Sequence, residues 1–405
     1  VKNWTNTKTI AGSVAEGEKY FRREGIENKL WREIEKGNHI LFSAPRRVGK
    51  SSIMKYLAEH PREGYACVYE NISTDETKEE FYKRLLGLLL RQTKHPTLQK
   101  LWNQLKGSVA IEKVSTDGIE LCLGQRNYKQ AILDIIPKLK EHNEKIVLLL
   151  DEFPDVIKNI SENTKEGPDA AVDVLQTLRS IRHNERFREH FVLVLAGSIG
   201  LPHVIKSIDR PAVINDLYEQ NLPALSSNIP EGKSESEADR FIEHLVRGAS
   251  MQMDGECRKY LLEKLKQAIP FYIQLIVEKC NDLMFDDERT QLSTPDIENA
   301  WNKVLEDHRH FSDADQRLHK YFPNDYPYFL EILQKCAHNG EISIQEVFDI
   351  ARGHRIGSDY KGKIDDVLIK DGYLVQNEMR FTFASPLLQA WWKNRHPVLQ
   401  NKKKK

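Results

Sequence analysis

Two clusters of residues have the types and spacing for phosphate chemistry. The first is Ser43-Ala44-Pro45-Arg46-Arg47-Val48-Gly49-Lys50-Ser51-Ser52. Gly49 lets a backbone turn tightly against a phosphate, Lys50 brings a point charge for the outer phosphates, and the Ser51 hydroxyl suits a Mg²⁺ ligand. A helix beginning here would aim free N–H groups and the positive end of its dipole at the anion. Ala44 through Ser52 is therefore expected to form a phosphate-binding loop. One residue departs from G-x-x-x-x-G-K-[ST]: the first glycine is Ala44. The second cluster is Asp151-Glu152, directly after Ile146-Val147-Leu148-Leu149-Leu150. Two acids after an apolar run are common in turns, and Gly-Lys-Ser can open a helix by chance. Together they read as a nucleotide site in which Asp151 holds Mg²⁺ through water and Glu152 polarises an attacking water as general base.

Strands must present these groups. Ile40-Leu41-Phe42 is short and apolar, as a buried strand should be, and Ser51 to Glu59 has helical character. Residues 146–150 are apolar on both faces, as in the centre of a parallel sheet, and acids at their C-terminal end sit where open α/β sheets bind ligands. A third run, Phe191 to Ala196, ends in Gly197-Ser198. Ser198 is the candidate γ-phosphate sensor, although Gly-Ser also makes an ordinary strand-end turn. Tyr65 to Tyr69 reads as a further strand and Phe81 to Gln92 as a helix. Residues 107–124 read as a hairpin turning at Thr116-Asp117-Gly118, and Asn159 to Asp169 as a polar loop.

Phe21-Arg22-Arg23-Glu24-Gly25-Ile26-Glu27, the loop from Ala44 to Ser51, Leu150-Asp151-Glu152-Phe153-Pro154 and Ala196-Gly197-Ser198-Ile199-Gly200 together resemble the archaeal-type ATPases. These lie near the STAND branch of the AAA+ P-loop ATPases. The resemblance runs from about residue 18 to about 280 and more loosely beyond. It implies an α/β P-loop NTPase fold, a parallel sheet flanked by helices, with an all-α lid and a C-terminal winged-helix domain. It also implies ATP with Mg²⁺, Lys50, Glu152 and Ser198 as catalytic groups, and Ser51 and Asp151 at the metal. Phe21 and Ile26 would lie near the adenine, and Pro270, in Ile269-Pro270-Phe271-Tyr272, would open the lid helix beside base and ribose. Two features depart from the pattern. Asn215-Asp216-Leu217-Tyr218-Glu219-Gln220 lacks the arginine that family members often carry, which puts inter-subunit activation in doubt, and Arg210 is the nearest substitute. No clear arginine follows the lid turn. Arg179, Arg182 and Arg186 read as a solvated basic face.

The 405 residues suffice for several domains, placed at 1–225 (ATPase core), 226–312 (helical lid) and 313–405 (winged helix with a basic tail). Sixty basic residues balance sixty acidic ones, so no overall field draws the chain to nucleic acid or membrane. No apolar run is long enough to span a bilayer. Five scattered cysteines, without a Cys-x-x-Cys pair, fit a reducing cytoplasm rather than disulfides or zinc. Ser234 is expected to cap the first lid helix, with Glu237 three residues on. In the winged helix, residues 358–370 form the third helix, with Lys361, Lys363 and Lys370 outward but Asp365 and Asp366 in the same segment. Two functions follow. One is an ATP-driven switch with an unidentified protein partner or self-association; the other is a loader gripping duplex DNA.

Overall fold

The computed structural model describes residues 3–91, 113–115, 118–120, 128–136, 144–163, 167–197, 201, 204–205 and 211–397. The chain divides into two compact units. One holds Arg22–Ala44 and Lys50–Leu222; the other holds the residues up to Phe21, the short stretch Pro45–Gly49 and everything from Pro223 onward.

The first of these is built on strands β1 (Ile40–Ser43), β2 (Tyr65–Asn71), β5 (Lys145–Asp151), β6 (Phe191–Gly197) and β7 (Tyr218–Asn221), with a separate hairpin of β3 (Lys113–Ser115) and β4 (Gly118–Glu120). The five strands form one parallel sheet in the order β2-β5-β6-β1-β7. Apolar residues occupy both faces of β5 and β6, and every residue of β6 is buried. Such strands hold only the centre of a sheet covered on both faces, where each enclosed Leu or Val contributes about 1.5–3 kcal/mol relative to exposure. The polar run Tyr218-Glu219-Gln220-Asn221 suits the edge position, with Gln220 alone of the four buried. The segment resembling the family's arginine-bearing stretch is thus the turn and strand of the sheet edge. Of the hairpin expected over 107–124, the described residues pair antiparallel, Ser115 with Gly118, and the remainder lies outside the described residues.

Two expectations are corrected in this unit. The polar stretch 159–169 is mostly helical: Asn159 to Asn163 finish the helix Phe153–Asn163, and Gly167 to Asp169 open the helix Gly167–His183. Asn159 turns its amide inward to the Ser73 carbonyl, 3.1 Å away, beside buried Ile157 and Ile160, and Pro168 falls in a first turn, where it costs no hydrogen bond. Arg182 is not part of a solvated face. It is 3% exposed, forms two hydrogen bonds to Asp216 (2.6 and 2.9 Å) and donates to the Val213 carbonyl at 2.6 Å. A buried guanidinium needs such partners, and here it ties the long helix to the turn entering β7.

His39, at the start of β1, accepts a hydrogen bond from the Leu193 N–H at 2.9 Å through Nδ1. Burial, aided by the charges of Arg182 and Arg188, lowers its pKa to about 3. The folded pKa lies below the ordinary value, so the unfolded chain binds the extra proton. The stabilisation is complete above about pH 6.5 and is lost as pH falls toward 3, on the order of 5 kcal/mol in all. His39→Gln keeps an acceptor without a titrating group. Its urea midpoint is expected to fall less than the parent's between pH 7 and pH 4, and equal falls would exclude His39 as the source.

The other unit begins with a strap, residues 3–21, laid on helices. Lys8 N–H reaches the Leu245 carbonyl at 2.7 Å, Ser250 N–H reaches the Thr5 carbonyl at 2.9 Å, and Ile10 N–H meets Gln274 at 2.7 Å. Four helices follow, Glu237–Val246, Gly255–Leu265, Pro270–Asp286 and Thr294–Glu306. The first is capped by Ser236 with Asp239, not by Ser234 with Glu237. The two candidates share one spacing, and only Ser236 meets the N3 amide. Then come the helices Arg309–Tyr321 and Tyr326–Asn339, strand β8 (Ile342–Ser343) and the helix Ile344–Gly353. A short helix, Tyr360–Lys363, winds on as a π-helix over Ile364–Ile369. Strands β9 (Leu374–Asn377) and β10 (Arg380–Phe383) and the helix Pro386–Arg395 complete the unit. Strands β8, β10 and β9 make a three-stranded antiparallel sheet. Phe381, Phe383, Trp391 and Trp392 are buried in its core.

Candidate functional site

Asp151 is the last residue of β5 and is fully buried, 0% exposed. Parallel pairing with β2 sets it opposite Asn71. Lys50 opens the helix Lys50–Glu59, and its ammonium, 6% exposed, forms an ion pair with Asp151 Oδ1. The Glu152 N–H reaches the same oxygen at 3.0 Å. Ser51 Oγ donates to Oδ2 at 2.5 Å, and Tyr69 Oη donates to Oδ2 at 3.2 Å. Burial alone would raise the Asp151 carboxyl. The Lys50 charge beside it, with the hydrogen bonds from Lys50, Ser51 and Tyr69, outweighs that and holds it below the usual carboxylate range. Burial, then the Asp151 charge, pushes the Tyr69 phenol up, so it remains a donor.

Glu152 carries its backbone at φ 58°, left-handed for a residue with a side chain. That bend lets β5 stop at Asp151 and the next helix begin at Phe153, and it leaves the Glu152 carboxylate 18% exposed and 4.0 Å from Lys50 Nζ. Arg47 is likewise left-handed at φ 71°, and Gly49 turns at φ 97°. Non-glycine residues held this way cost of order 1–3 kcal/mol each and cluster at functional sites. Ala44 is not among the residues of positive φ, which explains why a side chain is tolerated where the common motif has glycine. Ala44, Val48 and Ser52 are buried.

The loop tip, Pro45–Gly49, groups with the C-terminal unit. Arg46 forms an ion pair with Asp313. The Arg47 guanidinium donates to the His310 carbonyl at 2.5 Å and lies 4.0 Å from the centroid of the Phe271 ring. The Phe271 N–H reaches the Arg47 carbonyl at 3.3 Å. Gly372 approaches Pro45 so closely that a Cβ there would come within 3.0 Å of the proline Cβ.

The structure brings together Lys50, Ser51, Asp151 and Glu152. The other candidates occupy other elements. Phe21 packs edge-on against Phe241 and His244, at centroid distances of 5.3 and 5.7 Å. Ile26 is half-buried in the first turn of the helix Glu24–Glu35. Pro270 is buried at the start of its helix. Ser198 and Arg210 lie outside the described residues, as does the lysine tail. Sequence reasoning missed Tyr69, whose one signal is its place near the C-terminal end of a strand. It also missed Asp313, His310 and Phe271 as partners of the loop arginines.

A hard divalent cation suits this donor set. Mg²⁺ takes one or two carboxylates and completes its shell with waters and substrate phosphates, and Ser51 and Asp151 supply a hydroxyl and a carboxylate side by side. Among the described residues no group of three or more His, Cys, Asp or Glu could cage a metal alone. None of their helices is long and apolar enough to cross a membrane.

No protein-family model and no curated protein matches this chain. Solved structures do. The Walker-type ATPase PABY2304 of Pyrococcus abyssi matches with a TM-score of 0.61 and 16% identity, over 94% of this chain and 98% of that one. The ORC2 protein of Aeropyrum pernix, in its ADPNP–ADP complexes, matches with a TM-score of 0.56 and 13% identity, over 95% of each chain. The fold these structures share with the chain is the α/β P-loop NTPase fold. At these identities the likeness speaks for the fold, and the chemistry must come from the side chains around Asp151.

Proposed function

We propose that the protein binds ATP with Mg²⁺ and hydrolyses it slowly, as a switch of the STAND or archaeal-ATPase type. The observation that carries this is the Asp151 carboxylate receiving both Lys50 and Ser51 at the end of β5. In the nucleotide complex Lys50 would turn to the outer phosphates and the amides of residues 46–51 would line them. Ser51 and Asp151 would hold Mg²⁺, which supplies charge neutralisation of the phosphates. Glu152 would take the proton of the attacking water, and Ser198 would report the γ-phosphate. A structural neighbour with the same fold is a Walker-type ATPase, and another was solved with ADPNP and ADP, which agrees with this assignment.

Coupling to a partner or to self-association would run through the loop tip. Arg47 stacks on Phe271 in the turn that opens the helix Pro270–Asp286, and Arg46 pairs with Asp313, so a phosphate drawing on these arginines would be felt in the C-terminal elements. We read the C-terminal elements as a winged helix, but the charge pattern speaks against the DNA-loader reading. All three lysines expected to face a groove are paired with acids: Lys361 with Asp365 at 3.9 Å, Lys363 with Asp325 at 2.5 Å and Lys370 with Asp366 at 3.1 Å. Phosphate release from ATP, measured with and without duplex DNA, tests both readings. Slow release indifferent to DNA is expected. Strong stimulation that fades steeply with salt would establish the loader instead, and no Mg²⁺-dependent release at all would remove the ATPase.

A further inference from the structure

We infer that Tyr69 is a positioning residue for the metal: its hydroxyl sets the orientation of the Asp151 carboxylate that receives Mg²⁺. This deepens the ATPase reading and rests on it. Asp151 receives four donors. Oδ1 takes the Lys50 ammonium and the Glu152 N–H; Oδ2 takes the Ser51 and Tyr69 hydroxyls. One of the four cannot stay when a metal nucleotide binds: Lys50 must turn toward the phosphates. Ser51 offers a lone pair to the cation while its single proton still points at Asp151, because a hydroxyl has one donor and two acceptor sites.

What remains is the Glu152 amide on Oδ1 and two hydroxyls on Oδ2, of which Ser51 is itself engaged with the cation and Tyr69 is not. The amide is fixed by the backbone bend at Glu152. Tyr69 stands on β2, locked to β5 by a parallel register that sets Tyr69 beside Leu149 and Asn71 beside Asp151. Its hydroxyl therefore comes from a rigid element and does not depend on the loop that moves to receive phosphate. An outer hydrogen bond of this kind fixes the plane of a ligating carboxylate, and its loss typically weakens metal binding 10- to 100-fold.

Tyr69→Phe removes the hydroxyl and keeps the ring. The test measures Mn²⁺ binding by electron paramagnetic resonance in the presence of saturating ADP, beside the Mg²⁺ dependence of phosphate release at saturating ATP. The variant is expected to bind Mn²⁺ about 10-fold more weakly and to need correspondingly more Mg²⁺ for half-maximal turnover. ADP affinity without metal and the thermal midpoint should stay near the parent's. Mn²⁺ affinity within two-fold of the parent overturns the assignment, as does an equal loss of metal-free ADP binding, which would make Tyr69 a packing residue. Ser51→Ala, run in parallel, separates the two levels. If it leaves Mn²⁺ binding intact, the metal site itself is misplaced; if it abolishes binding while Tyr69→Phe does nothing, only the role of Tyr69 fails.

Discussion

Glu152→Gln is expected to hold ATP while hydrolysing it at least roughly 100-fold more slowly than the parent, the lower bound for losing a positioned general base. Glu152 is suited to that task by geometry. It sits at the left-handed bend that ends β5, and its carboxylate is the partly exposed acid of the pair, whereas Asp151 is fully enclosed among donors. Gln keeps the size and the hydrogen-bonding reach but cannot accept the proton. Binding should therefore survive: ADP and ATP affinities by calorimetry should stay within a few-fold of the parent's. Turnover equal to the parent's would mean that another group activates the water.

Lys50→Ala is expected to fail twice, and the two failures can be separated. Without nucleotide, Lys50 is the cation beside a buried carboxylate, and removing one partner of such a pair costs about 3–5 kcal/mol because the remaining charge is left uncompensated. With nucleotide, the phosphates lose their point charge. Affinity for ATP should drop at least about 30-fold, equivalent to about 2 kcal/mol. Adding Asp151→Asn to Lys50→Ala removes the orphaned charge. The double variant should recover most of the lost thermal stability and none of the lost ATP affinity. Recovery of both would mean that Lys50 serves folding alone; a single variant that binds ATP as tightly as the parent would remove the phosphate-loop assignment.

The parts of this site that depend on local chemistry were legible in the sequence. Gly49-Lys50-Ser51 carries its own turn and helix start, and Asp151-Glu152 is marked by the apolar strand before it. The parts that depend on registry between distant segments were not. Nothing in Tyr65-Ala66-Cys67-Val68-Tyr69 says that this strand lies beside β5 with Asn71 level with Asp151, and Tyr69 becomes a site residue only through that register. Arg182 was misread for a related reason. A helix bearing several arginines looks solvated until its neighbour is known, and Asp216, 34 positions later, is what makes one of them a buried strut. The lysines of residues 361–370 show the same limit in reverse. Their spacing suggests a basic face, but Asp325, which pairs with Lys363, comes from the turn before the helix Tyr326–Asn339. At Ser234 and Ser236 the local signal was present twice over, and tertiary packing chose between two equal caps.

The fourfold occupation of Asp151 bears on the order in which ligands arrive. A bare magnesium ion approaching this carboxylate meets an ammonium already seated on one oxygen and a hydroxyl proton aimed from the other. Like charge and lost hydrogen bonds both oppose it. On the proposed reading, phosphate would change the balance by giving Lys50 a better counter-charge, and only then would the carboxylate face become attractive to a cation. The resting protein would in this way ignore the free divalent ions around it and admit metal only in company with the nucleotide, so that its cycle is timed by nucleotide supply rather than by magnesium concentration.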